Sequence, residues 1–153
     1  MIRKLKQVDR PALETILRKT NNFHSEEVDV ALELIDIALL HDGQSDYHIF
    51  VYEDTGRISG YHCTGKRPLT DGVYDLYWIV VDPEISGKGI GKKLMAEAEK
   101  FALKNKLHLM YLETGVGWKA VKFYESIGFK AITVIKKSYG QKDFFLMTKP
   151  LNC

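Results

Sequence analysis

The spacing of apolar positions changes repeatedly along the chain, and each change predicts an element. Residues 2–6 alternate apolar and basic side chains, as a short opening strand would. Leu13, Ile16 and Leu17 then recur at helical spacing, with Asp9 placed to cap the helix and Pro11 tolerated in its first turn. Asn21, Asn22, Phe23 and His24 interrupt that pattern. A second helix follows, with Ser25 as its N-cap and Glu26 and Glu27 where negative charge suits the dipole. Its stripe is Val28, Ala31, Leu32, Ile35, Ala38 and Leu39, widened by Leu34 and Ile37, and it ends near Asp42 and Gly43. From Asp46 the period becomes two. Residues 47–52 and 57–63 read as a hairpin around Asp54, Thr55 and Gly56, and residues 65–72, with Pro68, read as a loop.

Residues 73–81 form the next strand, because Trp78, Ile79, Val80 and Val81 are an unbroken β-branched and aromatic run. Asp82 and Pro83 stop it, since proline supplies no amide to a ladder. Ile90, Leu94, Ala98, Phe101 and Ala102 give the following helix a core-facing stripe, with Lys93 and Glu97 paired outside. Residues 107–113 read as an interior strand and 118–127 as a short helix closed by Gly128. Residues 129–136 and 143–149 make a final pair of strands around Ser138, Tyr139 and Gly140. The chain shows no repeat, low-complexity segment or linker.

Composition narrows the class. With 153 residues the chain can bury one substantial core, so a single domain over 1–153 is expected. A formal charge of +2 gives no argument for nucleic acid or for an anionic membrane. No apolar run reaches membrane-spanning length, and the opening residues have no apolar signal core. Cys63 and Cys153 form neither a metal spacing nor a disulfide framework, so a soluble cytoplasmic protein without a metal is expected.

The chemistry concentrates between strand 73–81 and the helix after it. Gly87, Gly89 and Gly91 alternate with Lys88 and Ile90 directly ahead of the helical pattern, and Lys92 and Lys93 follow. A glycine-rich turn opening a helix aims free backbone amides at one point, at the positive end of the dipole, which suits phosphate. The P-loop pattern fails, because Ser86 stands at its first glycine and Lys93 at its Ser/Thr. The dinucleotide pattern fails at Leu94, where it needs a third glycine. The stretch resembles the acetyl-CoA signature [QR]-x-x-G-x-[GA] of the GNAT N-acetyltransferase superfamily, with Gly89 and Gly91 on its small positions and Ser86 departing from Arg or Gln. Residues 120–129, AVKFYESIGF, are similar to a second segment of that family, with Gly117 where an asparagine is usual.

This resemblance covers essentially the whole chain. It implies an α/β (α+β) GNAT fold, with a mixed, mostly antiparallel sheet of about seven strands and four helices in the order β-α-α-β-β-β-α-β-α-β-β. It also implies acetyl-CoA as co-substrate, without a metal. The main chain of Ile79, Val80 and Val81 would pair with the pantetheine arm, and an amide at Val81 or its neighbour would polarise the thioester carbonyl. Ser86, Gly87, Lys88, Gly89, Ile90, Gly91 and Lys92 would hold the diphosphate, with Phe123 and Tyr124 also on the cofactor. Tyr124 matches the family's general acid. Strand alternation sets Asp75, Tyr77, Ile79 and Val81 on one face, which makes Asp75 a candidate base, and Glu113 at the end of the neighbouring strand is the other. Phe23 and His24, on the loop between the first two helices, and Tyr77 and Tyr139 are the candidate acceptor contacts. The acceptor implied is a primary amine of a small molecule, an amino-acid-like compound or a peptide, attacked directly in a ternary complex. A homodimer is compatible with this fold. Two rivals stay open: a non-catalytic acyl-CoA-binding regulatory module, and a nucleotide-binding protein using the glycine turn.

Overall fold

The computed structural model describes residues 1–20, 23–41 and 43–151. Asn21, Asn22, Asp42 and Cys153, which figure in the expectations above, lie outside the described residues. The elements run in the expected order. They are β1 (Ile2–Lys4), α1 (Arg10–Lys19), α2 (Ser25–Leu40), β2 (His48–Asp54), β3 (Arg57–Lys66), β4 (Val73–Val81), α3 (Ile90–Lys104), β5 (Leu109–Gly115), α4 (Lys119–Ser126), β6 (Lys130–Tyr139) and β7 (Lys142–Pro150). The strands pair in the order β1-β2-β3-β4-β5-β7-β6. β4 and β5 are parallel, while β1–β2, β2–β3, β5–β7 and β6–β7 are antiparallel. No helix among the described residues is long and apolar enough to cross a membrane.

The chain divides into two compact units, residues 1–65 with 77–100 and residues 66–76 with 101–153. In the first, the stripes of α1 and α2 close on one face of the strands. Leu13, Ile16, Leu17, Ala31 and Ile35 join Ile49, Val51, Tyr61, Cys63 and Val80 in one cluster. Burying a leucine such as Leu13 or Leu17, both 0% exposed, contributes about 2 kcal/mol. On the opposite face of β3, His62 is buried against the ring of Phe50, 5.4 Å away, and neither ring nitrogen has a hydrogen-bond partner. In the second unit Tyr74 stacks on Phe101 at 6.1 Å, and Met110, Leu112, Phe129 and Met147 are buried.

Several details differ from the sequence-based expectations for physical reasons. Asp9 occupies the N-cap position of α1, but its side chain does not cap that helix. It accepts instead from Arg3 Nη1 at 2.8 Å, Arg3 Nη2 at 2.9 Å and the Lys6 amide at 2.8 Å. Burial pushes its carboxyl pKa up, and these donors outweigh that and hold it below the usual range. The N-cap of α2 is His24, with Ser25 inside the helix. Lys93 does not pair with Glu97; its ammonium lies 5.7 Å from the ring centroid of Tyr52. β5 starts two residues late because the Leu107 amide donates to the Ala102 carbonyl at 2.9 Å, as part of the turn that ends α3. The connection expected between 136 and 143 is a tight turn, since β6 runs to Tyr139 and only Gly140 and Gln141 separate it from β7.

Candidate active site

In the first unit the site begins with residues 77–81 of β4. Val80 is buried, whereas Tyr77 is exposed and Ile79 and Val81 are half-buried. The β4–β5 ladder runs from Val73↔Leu109 to Asp75↔Tyr111, so the main chain of Ile79, Val80 and Val81 lies outside that register. Beyond β4, the buried Asp82 anchors the turn. Its Oδ1 accepts from the Glu84 amide at 3.0 Å and its Oδ2 from Arg57 Nη2 at 2.8 Å. Burial raises the Asp82 carboxyl, and these partners more than reverse it. A short 3-10 turn, Pro83–Ile85, then delivers the chain to the glycines.

Gly87 and Gly89 have φ of +85° and +77°, the left-handed region that an L side chain enters only with strain. A Cβ at either would meet nothing within 4 Å, so the space in front of the turn is empty protein-side. Packing therefore does not explain these glycines; backbone geometry does. The Gly89 carbonyl accepts from the Lys93 amide at 3.1 Å, the first bond of α3. The amides of Ile90, Gly91 and Lys92 precede that bond and are the orphan donors of the helix start. Ser86, Gly87, Lys88 and Gly89 are exposed, and Ser86 donates back to the Pro83 carbonyl at 3.3 Å. Gly91 lies within the first turn of α3.

The acceptor candidates of this unit are also placed. Phe23 packs edge-on against Trp78, with centroids 5.2 Å apart, and belongs to the α1/α2 core. His24 is exposed and its amide donates to Glu27 Oε1 at 3.2 Å. Tyr77, 37% exposed, meets Tyr47 edge-on at 5.6 Å.

The second unit holds Tyr124, 8% exposed on α4, between the rings of Phe123 at 5.4 Å and Phe129 at 5.8 Å. α4 ends in a two-bond cap: the Gly128 amide donates to Glu125 O at 3.1 Å and the Phe129 amide to Tyr124 O at 3.0 Å. That cap, with Gly128 at φ +102°, fixes Tyr124 beside Phe129. Burial pushes the Tyr124 hydroxyl well above its ordinary pKa of 10.0, so it holds its proton throughout the physiological range.

Asp75 and Glu113 come together on one face, because Asp75 is opposite Tyr111 and Glu113 is two residues further along β5. Their surroundings differ. Asp75 is buried and its Oδ1 accepts from Arg67 Nη1 at 3.1 Å, whereas Glu113 is exposed. Burial raises the Tyr111 phenol, and the charge of Glu113 raises it further. Tyr139, the last residue of β6, is 36% exposed.

Residues 45–131 match the acetyltransferase (GNAT) domain family. The chain belongs to the GNAT acetyltransferases. The S-(2-succino)cysteine N-acetyltransferase of Bacillus subtilis (strain 168) is 28% identical over 124 residues, 76% of this chain and 75% of that protein. A Desulfovibrio desulfuricans structure assigned to the GNAT family superposes with a TM-score of 0.92 and 32% identity, covering 99% of both chains. The PaiA N-acetyltransferase of Thermoplasma acidophilum, solved in complex with coenzyme A, superposes at 0.74 with 21% identity over 98% of both chains, a likeness of fold alone.

Within this GNAT chain, the two departures from the family's pattern become structural facts. Ser86 is turned onto its own 3-10 segment, and Gly117 sits at φ +84° just ahead of α4. Sequence reasoning missed Arg67 and Tyr111, which surround Asp75. The alternation of Tyr111 with Glu113 was the available signal for the tyrosine. Arg67 stood in a segment read as a loop, where periodicity says nothing of direction.

Proposed function

We propose that the protein transfers an acetyl group from acetyl-CoA to a primary amine of a small or amino-acid-like acceptor, by direct attack in a ternary complex. The observation that carries this reading is the turn at Gly87 and Gly89. Its left-handed backbone, the empty space before it and the orphan amides of α3 fit a diphosphate and serve no packing purpose. The coenzyme A bound to the Thermoplasma acidophilum relative supports the same ligand here.

Acetyl-CoA supplies the activated acyl group. The amides of Gly87 to Lys92 bind its diphosphate, and the main chain of Ile79 to Val81, beyond the β4–β5 ladder, takes the pantetheine arm. An amide at Val81 or its neighbour polarises the carbonyl, an effect worth roughly 3–4 kcal/mol in the transition state. A free alkylammonium has a pKa near 10.4, so its proton must be taken before attack. Glu113, exposed, receives it directly or through water, while Asp75 is held by Arg67. The amine nitrogen forms the new N–C bond as the C–S bond breaks, the Tyr124 hydroxyl gives its proton to the departing sulfur, and the second proton lost from nitrogen restores the tyrosine through water. The Bacillus subtilis relative's name, with an amino-acid acceptor, supports an amino-acid-like substrate.

Release of free thiol from acetyl-CoA across a panel of amines tests the activity. Amine-dependent release is expected, and binding of acetyl-CoA with no release for any amine would instead favour a non-catalytic module. For the base, Glu113→Gln should lower kcat/KM by about 100-fold or more while Asp75→Asn lowers it far less; an unchanged kcat/KM in Glu113→Gln removes the role.

A further inference from the structure

Arg67 is anchored more firmly than a surface ion pair requires. Its amide donates to the Val73 carbonyl at 2.8 Å, and Thr70 Oγ1 donates to the Arg67 carbonyl at 2.6 Å, so the segment between β3 and β4 is closed twice around it. Its guanidinium carbon lies 4.3 Å from the centroid of the Tyr111 ring, and Nη1 donates to the buried Asp75. The side chain is nevertheless 43% exposed. An arginine has five N–H donors in a planar fork, and Asp75 takes only one edge of it. A cation that merely neutralised Asp75 could be a lysine. A guanidinium held on an aromatic ring with donors still facing water is preorganised for a second planar anion.

The surroundings say which anion. Asp75, Tyr111 and Glu113 share a face with Thr148 and Leu146, their partners on β7, both half-buried. A fixed cation thus stands on the same face as the exposed carboxylate of Glu113, above a partly apolar floor. That pairing of charges matches a molecule with an ammonium and a carboxylate of its own.

We infer that Arg67, steadied by Tyr111 and Asp75, binds a carboxylate of the acceptor, so that the protein selects amines that also carry a carboxylate. This rests on the acetyltransferase reading above and names its substrate class. Arg67 is a specificity-determining residue, outside the transfer of the acetyl group itself.

The test uses the full-length protein, acetyl-CoA and a panel of amino acids, each paired with its carboxamide and its decarboxylated amine. The wild type should favour the acid over its carboxamide by about 10- to 100-fold in kcat/KM, the range for one charge-assisted hydrogen-bonded pair. Arg67→Gln should erase that ratio, the loss falling on KM of the acid. Arg67→Lys keeps a cation for Asp75, so it should retain the wild-type melting temperature and still lose most of the selectivity. Turnover without preference for the acid overturns the inference alone, as does an equal loss on acid and carboxamide in both variants. Silence across the whole panel removes the activity and the inference together.

Discussion

The turn at Gly89 offers a perturbation that separates folding from ligand binding. In Gly89→Ala the new Cβ meets no protein atom within 4 Å, so the folded protein loses only backbone freedom at φ +77°. A left-handed alanine costs about 1–2 kcal/mol. In a domain of this size that lowers Tm by roughly 2–8 °C. Gly56, in the β2–β3 turn, is a matched control with φ +80° and equally empty surroundings, so Gly56→Ala carries the same strain. The two variants should melt alike and bind differently. At Gly89 the methyl enters the space assigned to the diphosphate and blocks close approach of its oxygens to the amides. Losing one or two charge-assisted hydrogen bonds at about 1.5–3 kcal/mol each weakens acetyl-CoA binding by at least about tenfold. Titration calorimetry with acetyl-CoA, alongside melting curves, reads both quantities. Equal affinity in the two variants would refute the assignment of the turn.

Other consequences follow from single contacts. Tyr124→Phe removes a hydroxyl that burial keeps protonated, and should lower kcat by about 100-fold or more while the Kd for acetyl-CoA stays within a few-fold; unchanged turnover in steady-state assays removes its role as acid. His62 is neutral in the fold, its pKa pushed down to about 3 from 6.5 by burial first and then by His48. The unfolded chain therefore binds the proton first as pH falls below 6.5, and stability present at neutral pH drains away between there and pH 3, by about 2 kcal/mol at pH 5. His62→Phe should flatten the fall in Tm between pH 7 and 5, and an equally steep fall in the variant would exclude His62 as its source. Asp9→Ala leaves the Arg3 guanidinium, 15% exposed, with Glu53 as its one remaining carboxylate among the described residues and should cost about 3 kcal/mol in urea unfolding; a loss under about 1 kcal/mol contradicts the anchoring role of this cluster.

Much of this architecture was legible because burial writes itself as periodicity. The bounds of β4 followed from its apolar run and from Pro83, and the end of α4 from Gly128. Helix starts were harder. Asp9 has the chemistry of a cap, yet Arg3, six residues before it on β1, competes for its oxygens and wins. The last hairpin is tighter than its sequence suggests because Gln141, at φ +63°, adopts a left-handed conformation beside Gly140. Gly89 and Gly91 were legible as a motif, but only φ separates their roles: Gly89 supplies the left-handed turn and Gly91 the first helical turn. Arg67 could not be read at all, since its meaning comes from Asp75 and Tyr111 on two different strands.

The central claim is that main-chain amides at the start of α3 receive the diphosphate of coenzyme A. An amide-resolved NMR titration of the protein with coenzyme A tests it most directly. The account predicts saturable shifts that are largest at Gly87, Gly89, Ile90, Gly91 and Lys92, with the hairpin glycine Gly56 unmoved. Saturation that leaves those five amides in place, or no saturable shift anywhere, would contradict it.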